Sequence, residues 1–343
     1  MTISMSTPAT ATERIIAVYD GTPGEPPLAS RCRELFSQQM FTWQEFAAAH
    51  LELNGAWLRE LSSGPHTVLV QFNPGRTVNA TAAIDDDAVR NRPCFLCPDR
   101  LPVSQAAVRY REDFLILVNP RPIFSPHYTV VHVRHLPQRL EPHIDTLLTL
   151  TRDLGDGLTV FYNGPRCGAS APDHHHFQVC PAGSIPVEKV WEGNGGKRRE
   201  LAGGVSLGIL NLPGRTALVV EGGNRAAVAD ALVRLLPALG RAAESDTERD
   251  SDAEPMLNLL CHYQDRSWRL LLFPRRRHRP AAYYREGEEA VLVTPGAVEM
   301  GGLLITVREE DFLKMNFALV EEIYREVALE GETVEKIFGD FPA

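Results

Sequence analysis

Residues 168–178 read GASAPDHHHFQ: small residues, a proline and an aspartate, then three consecutive histidines, a phenylalanine and a glutamine. Only 11 histidines occur in the 343 residues, so three side by side need a reason. In an extended strand the side chains alternate between faces. His174, His176 and Gln178 then share one face, and His175, Phe177 and Val179 take the other. The triple reduces to H-x-H-x-Q, with His175 incidental. Neutral imidazole is a good nucleophile near pH 7, and its phosphoryl adduct is reactive enough to be passed on. A neighbouring amide can bond a phosphoryl oxygen without competing for protons. The same alternation also describes an exposed polar strand. The preceding NGPRCGAS favours chemistry, because Asn163, Gly164, Gly168 and Ser170 let backbone N–H groups approach a phosphate.

The segments on either side are those of an α+β chain. HTVLVQFNP (66–74), DFLILVNP (113–120), HYTVVHV (127–133) and LTVFYNG (158–164) have strand character and end at turn signals. LEPHIDTLLTLTRDLG (140–155) reads as a helix stopped by glycine. The second half repeats this order weakly: strand RTALVVEG (215–222), helix NRAAVADALVRLLPALGRAA (224–243), then a hairpin around Gln264–Asp265. Residues 40–61 carry helical spacing, 21–30 read as loop, and 244–255 read as an exposed acidic loop. A last helix is expected over 312–329, and the first residues are expected to fray. The pattern predicts antiparallel sheet with helices packed on one side.

Composition narrows the function. The hydrophobic share of 44% and charged share of 23% are those of a globular protein. A net charge of -9 argues against a nucleic-acid binder, although local arginines can still line an anion pocket. No apolar run of about 18 residues predicts a membrane span. The N-terminus MTISMSTPATATERI has no secretory pattern, so a cytoplasmic protein is expected. Six cysteines are too sparse for a disulfide scaffold. Cys94 and Cys97 form a CxxC, which suits two metal ligands from one tight turn, a redox pair or two buried thiols. A metal needs two more ligands, and His127, His132, His135 and His174 are the candidates.

The H-x-H-x-Q stretch resembles the active-site signature of the histidine-triad superfamily's transferase branch. That branch includes galactose-1-phosphate uridylyltransferases, diadenosine tetraphosphate phosphorylases (ATP adenylyltransferases) and GDP-hexose phosphorylases. The resemblance implies two histidine-triad-like halves and a nucleotidyl group carried on His176, with Gln178 steadying it. Hydrolases of the superfamily have a third histidine where Gln178 stands, so glutamine favours transfer. Asp173 is a departure, since many relatives have no residue between the proline and the first histidine. By the same resemblance Cys94, Cys97, His135 and His174 hold a structural zinc, and His127 matches a histidine or polar position before a central strand. Asn73 and Arg76 in QFNPGR, with Asn163, Gly168 and Ser170, are the expected substrate-binding residues. Arg166, Lys197–Arg199 after a GNGG lid, Arg275 and Arg277 are further candidates for phosphate.

NLL (258–260), LLLFPRR (270–276) and AVEMGGLLI (297–305) resemble the C-terminal domain of ATP adenylyltransferases. The expected organisation is a catalytic half with the zinc site over 1–200 and a second half over 201–343. The expected reaction passes a nucleoside monophosphate from a dinucleoside polyphosphate or nucleotide sugar to phosphate or a phosphorylated acceptor. The alternatives are a hydrolase of the same superfamily and a zinc-stabilised nucleotide-binding protein without turnover. Such transferases are often dimeric, so the resemblance allows a homodimer, although the sequence itself marks no interface.

Overall fold

The computed structural model describes residues 14–81, 86–193, 196–243 and 254–342. Its frame is an eleven-stranded sheet, built from β1 (Ile15–Tyr19), β4 (Ala107–Tyr110), β5 (Phe114–Val118), β6 (Tyr128–His132), β7 (Leu158–Asn163), β8 (His176–Pro181), β9 (Arg198–Leu201), β10 (Val205–Leu212), β11 (Arg215–Gly222), β12 (Leu257–Gln264) and β13 (Ser267–Pro274). Across the sheet the order is β1-β4-β5-β6-β8-β7-β12-β13-β11-β10-β9. All pairs are antiparallel except β1 with β4. A second sheet joins β2 (Trp57–Ser63), β3 (His66–Phe72) and β14 (Leu303–Thr306).

The weak repeat of element order is a repeat of topology. In the first half the strands lie β4-β5-β6-β8-β7, with the helix Ile144–Leu154 between β6 and β7. In the second they lie β9-β10-β11-β13-β12, with the helix Arg225–Ala243 between β11 and β12. The two units meet where β7 pairs with β12. The fold is therefore α+β, with two halves of the same strand order, as the sequence reading expected. The small sheet draws on both halves, since β14 pairs with β3.

Strands such as FLILV, YTVVH and LTVFYN are buried throughout because both faces of the sheet are covered. One face packs on the helices Leu28–Thr42, Ile144–Leu154, Arg225–Ala243 and Gly331–Asp340. The other meets the small sheet and the helix Phe317–Val327. Asp265 and Arg266, with φ of 51° and 63°, make the tight turn of the β12–β13 hairpin.

Several boundaries differ from the sequence reading. Helix formation across 40–61 stops at Asn54, capped by Gly55, and Trp57–Ser63 pairs with β3 instead. Cross-strand burial there, Leu61 opposite Val68, overrides the helical spacing. The loop expected over 21–30 ends early, because Pro27 caps a helix that begins at Leu28. The expected final helix over 312–329 is broken: Asn316 accepts from the Leu319 N–H at 3.0 Å and starts a new helix at Phe317. A further helix, Gly331–Asp340, follows it. Of the acidic segment 244–255, residues 244–253 lie outside the described residues, as does the N-terminal stretch before Arg14. Glu254 is no solvated loop residue, since its carboxylate accepts from the Tyr162 hydroxyl at 2.6 Å and from the Leu140 N–H.

Candidate active site

β8 places its alternating side chains as the pattern requires. Val179, Phe177 and His175 enter the core on one face, where His175 stacks on His143 with ring centroids 3.8 Å apart. His176 and Gln178 line a cleft of about 680 Å³ on the other face, a size typical of small-molecule sites. Regular strand pairing begins at His176, because residues 171–174 form a turn closed by the His174 N–H on Ala171 O at 3.3 Å.

His176 is held in one tautomer. Its Nδ1 lies 2.8 Å from the carbonyl oxygen of His174, which can only accept, so Nδ1 carries the proton and Nε2 has a bare lone pair. Burial pushes the imidazole down to about 4, which keeps it neutral near pH 7. Gln138 braces the backbone behind it. Its Oε1 accepts from His176 N–H at 2.8 Å, and its amide nitrogen donates to the carbonyls of His176 and Asn163, both at 3.0 Å. This is an amide-for-amide replacement of a strand neighbour.

Gln178 is oriented by the same logic. His127 Nδ1 accepts from the Ile123 N–H at 3.2 Å, so the proton sits on Nε2 and is donated to Gln178 Oε1 at 3.0 Å. Asn119 adds a longer contact to that oxygen, at 3.5 Å. With its oxygen engaged from behind, Gln178 has its amide nitrogen left for a ligand in the cleft. His127, buried and held down to about 3, stays neutral in this role.

The cleft is strongly cationic: Arg76, Arg92, Arg100 and Arg121 line it. Glu299 is the one carboxylate among the described lining residues, and burial raises its affinity for a proton. Arg76 and Arg121 bind across each other's turns, Arg76 to Arg121 O at 2.6 Å and Arg121 to Gly75 O at 3.1 Å. Gly168 and Ser170 also line the cleft. Gly168 has φ of +102°, and a Cβ there would meet the Gly296 Cα at 2.6 Å, so this turn requires glycine. Asn163 lines the cleft too, but its Oδ1 accepts from Ala297 N–H at 2.7 Å and Asn258 Nδ2 at 3.0 Å.

Other sequence candidates lie elsewhere. Asn73 is not among the described lining residues; its amide donates to Pro122 O at 3.1 Å and to Gln71. Arg166 donates to Glu254 O, while Lys197 and Arg199 bind the C-terminal helix through Glu335, Phe338 O and Gly339 O. Asn194 and Gly195 of the expected lid are outside the described residues. Arg275 is fully buried, bonded to Asn258 and to the carbonyls of Pro295, Arg277, His278 and Val327. It is linked to the cleft through Asn258, which holds Asn163, and through Pro295, which lies between the lining residues Thr294 and Gly296. The backbone N–H of Arg277 likewise turns to Val327 O.

Cys94, Cys97, His135 and His174 come together with their ligand atoms all within 4.8 Å of one another. His174 Nε2 lies 2.7 Å from His132 O and must donate, leaving Nδ1 bare towards Cys94 Sγ at 3.3 Å and Cys97 Sγ at 3.6 Å. His135 Nδ1 faces Cys97 Sγ at 3.2 Å. A tetrahedral ion with arms of about 2.3 Å to sulfur and 2.0 Å to nitrogen gives S···N edges of about 3.5 Å, close to these three. The four donors are arranged to hold a metal ion. His132 contributes its carbonyl to this arrangement, and its ring turns to the Arg134 backbone.

Comparison with known proteins agrees with this architecture. Residues 35–181 match the family described as a domain of unknown function (DUF4922). No curated protein sequence matches. Yeast Ap4A phosphorylase Apa2 is similar in structure at 17% identity, covering 86% of this chain and 94% of that one with a TM-score of 0.52. Its complex with Ap4A gives 16% identity, coverage of 87% and 97%, and a TM-score of 0.53. An ADP-glucose phosphorylase from Arabidopsis thaliana, with bound ADP-glucose, matches at 15% identity over 80% of this chain and all of that one, with a TM-score of 0.35. The fold is thus similar to that of yeast Ap4A phosphorylase Apa2 over most of both chains. Among the described residues no helix is long and apolar enough to cross a membrane.

Proposed function

We propose that the protein is a phosphorylase-type nucleotidyltransferase. It takes a nucleoside monophosphate from a dinucleoside polyphosphate or nucleotide sugar and passes it to phosphate or a phosphorylated acceptor. The observation that carries this reading is His176: neutral, its Nδ1–H tied to a carbonyl and its Nε2 bare, in a cleft lined by four arginines. The likeness to an Ap4A phosphorylase solved with Ap4A and with AMP supports it.

In the first step His176 Nε2 attacks the α-phosphorus. The N–P bond forms, the bridging P–O bond breaks, and its electron pair leaves with the nucleoside polyphosphate or sugar phosphate. In the second, an oxygen of phosphate attacks the same phosphorus and the N–P pair returns to Nε2, which gives ping-pong kinetics. The Gln178 amide, Ser170 and the backbone N–H groups near Gly168 hold the non-bridging oxygens. Arg76 and its neighbours offset their charge, Asn163 fixes the Gly296–Ala297 segment, and Asn73 supports the Arg121–Pro122 turn from behind. Four arginines suit a polyphosphate chain, so phosphorolysis of a dinucleoside polyphosphate is the favoured reaction.

Cys94, Cys97, His135 and His174 would hold zinc with every position filled by protein, giving the histidine strand rigidity. We read 1–200 as the catalytic half and 201–343 as a second half that supplies the Gly296–Glu299 wall.

The test is intact-protein mass after brief incubation with diadenosine tetraphosphate, ADP-glucose, GDP-mannose or UDP-glucose, without phosphate. Wild type is expected to gain one nucleoside monophosphate that phosphate then discharges, and His176→Ala to gain none. An adduct on the His176→Ala protein would overturn the nucleophile. Discharge by water as fast as by phosphate would make the protein a hydrolase.

A further inference from the structure

We infer that Asp173 is a positioning residue that joins the four-donor cluster to the cleft. The inference rests on the reading above, in which the cleft takes phosphate groups and the cluster a metal. One Asp173 oxygen accepts from Arg92 Nη2 at 3.1 Å, and the other lies 3.6 Å from His135 Nε2. Arg92 lines the cleft. The same Nη2 donates to Ser170 O at 3.0 Å, so Arg92 grips both ends of the turn that leads into His174. Its guanidinium lies over Phe95, 5.1 Å from the ring centroid, and Phe95 sits between the two cysteines. His135 presents its other nitrogen to Cys97, as a metal ligand would.

A carboxylate on the far nitrogen of a ligating histidine fixes its tautomer and raises its basicity. Asp173 stands 3.6 Å from that nitrogen, at ion-pair distance and one short step from such a bond, while its second oxygen holds Arg92 of the cleft wall. The Asp173 side chain is only 16% exposed, so water screens neither contact fully. Coupling of this kind is reciprocal: what loosens Arg92 also loosens the metal, and the reverse. It also gives a purpose to the extra residue between Pro172 and His174.

The test uses zinc-loaded full-length protein, with zinc release followed by the chromophoric chelator 4-(2-pyridylazo)resorcinol. Asp173→Asn should release zinc about tenfold faster than wild type, the usual cost of a lost outer partner. Arg92→Gln, whose side chain holds none of the four donors, should release it several-fold faster, and the double variant no faster than Asp173→Asn alone. Both single variants should raise KM for diadenosine tetraphosphate with kcat nearly unchanged, a split that a general folding defect does not produce. Wild-type release from Asp173→Asn would overturn the inference outright. Faster release from Asp173→Asn with none from Arg92→Gln would reduce Asp173 to a metal partner and overturn the coupling. If wild type holds zinc but turns over no donor, the nucleotidyl-transfer reading fails while the release rates still decide the joint. A wild-type chain that binds no zinc would sink the metal reading and this inference together.

Discussion

His127 offers a direct test of how Gln178 is aimed. Its ring accepts from Ile123 N–H at one nitrogen and donates to Gln178 Oε1 at the other, between the rings of Phe124 and Phe161, 5.7 and 5.8 Å away. His127→Phe fills the same apolar slot but can do neither. The Ile123 N–H then loses its acceptor, a cost of about 1–3 kcal/mol, offset in part by replacing a buried imidazole with a hydrocarbon ring. A net destabilisation of roughly 1–2 kcal/mol is expected in urea unfolding. The catalytic effect is separate. Without His127 only the 3.5 Å Asn119 contact distinguishes the two ends of the Gln178 amide, and a flipped amide presents oxygen to phosphoryl oxygen. Loss of one donor of this kind costs about 10²–10³ in kcat, which sets the expected loss for Gln178→Ala. Misdirecting the donor for part of the time should cost His127→Phe roughly 10- to 100-fold, below that ceiling. The decisive assay is the double-mutant cycle on kcat for diadenosine tetraphosphate phosphorolysis. If His127 acts through Gln178, adding His127→Phe to Gln178→Ala changes kcat little further. Multiplication of the two losses would refute the argument.

Three further outcomes follow from named contacts. Gln138→Leu leaves the backbone groups of His176 and Asn163 without partners, so it should lose about 2–4 kcal/mol of stability and most activity, checked by urea midpoint and turnover. Burial raises Glu254 to about 7 from 4.5, so the folded state holds the extra proton between those values. Stability is therefore highest below the unfolded value and falls by roughly 3 kcal/mol as pH rises through 7; Glu254→Gln should show no such slope between pH 5 and 8 in pH-dependent urea unfolding. Stripping the metal, or Cys97→Ser, should remove the zinc detected by atomic absorption and lower the thermal midpoint, by roughly 4 °C if the ion contributes about 3 kcal/mol.

What could be read from the sequence was what lies close together along the chain. The H-x-H-x-Q face needs only the two-residue period of a strand, and the CxxC needs only one turn. The order strand, helix, strand pair was visible in both halves because the central strands read as short, mostly apolar runs and the helices carry apolar residues at helical spacing. What was hidden depends on residues far apart. Gln138 lies 38 positions from the His176 backbone it braces, and Asn258 lies 95 from Asn163. Arg275 read as a candidate for phosphate in a basic run, yet it is fully buried among carbonyls. Helical spacing over 40–61 was a real local signal that lost to pairing of Trp57–Ser63 with β3.

A second group of contacts, some of them close along the chain, shares one design. Each fixes the tautomer or amide orientation of a group that the sequence did reveal: His174 O for His176, His132 O for His174, and His127 for Gln178. All three depend on which atom must donate, which no residue pattern records. Histidine in this chain is therefore used in two ways. His174 and His176 present a bare nitrogen, and His127 presents a proton. The same residue type can serve all three positions only because a backbone group on the other side of each ring decides where its proton sits. A strand with the same H-x-H-x-Q letters but without those backbone partners would have the residues of the site and not its chemistry.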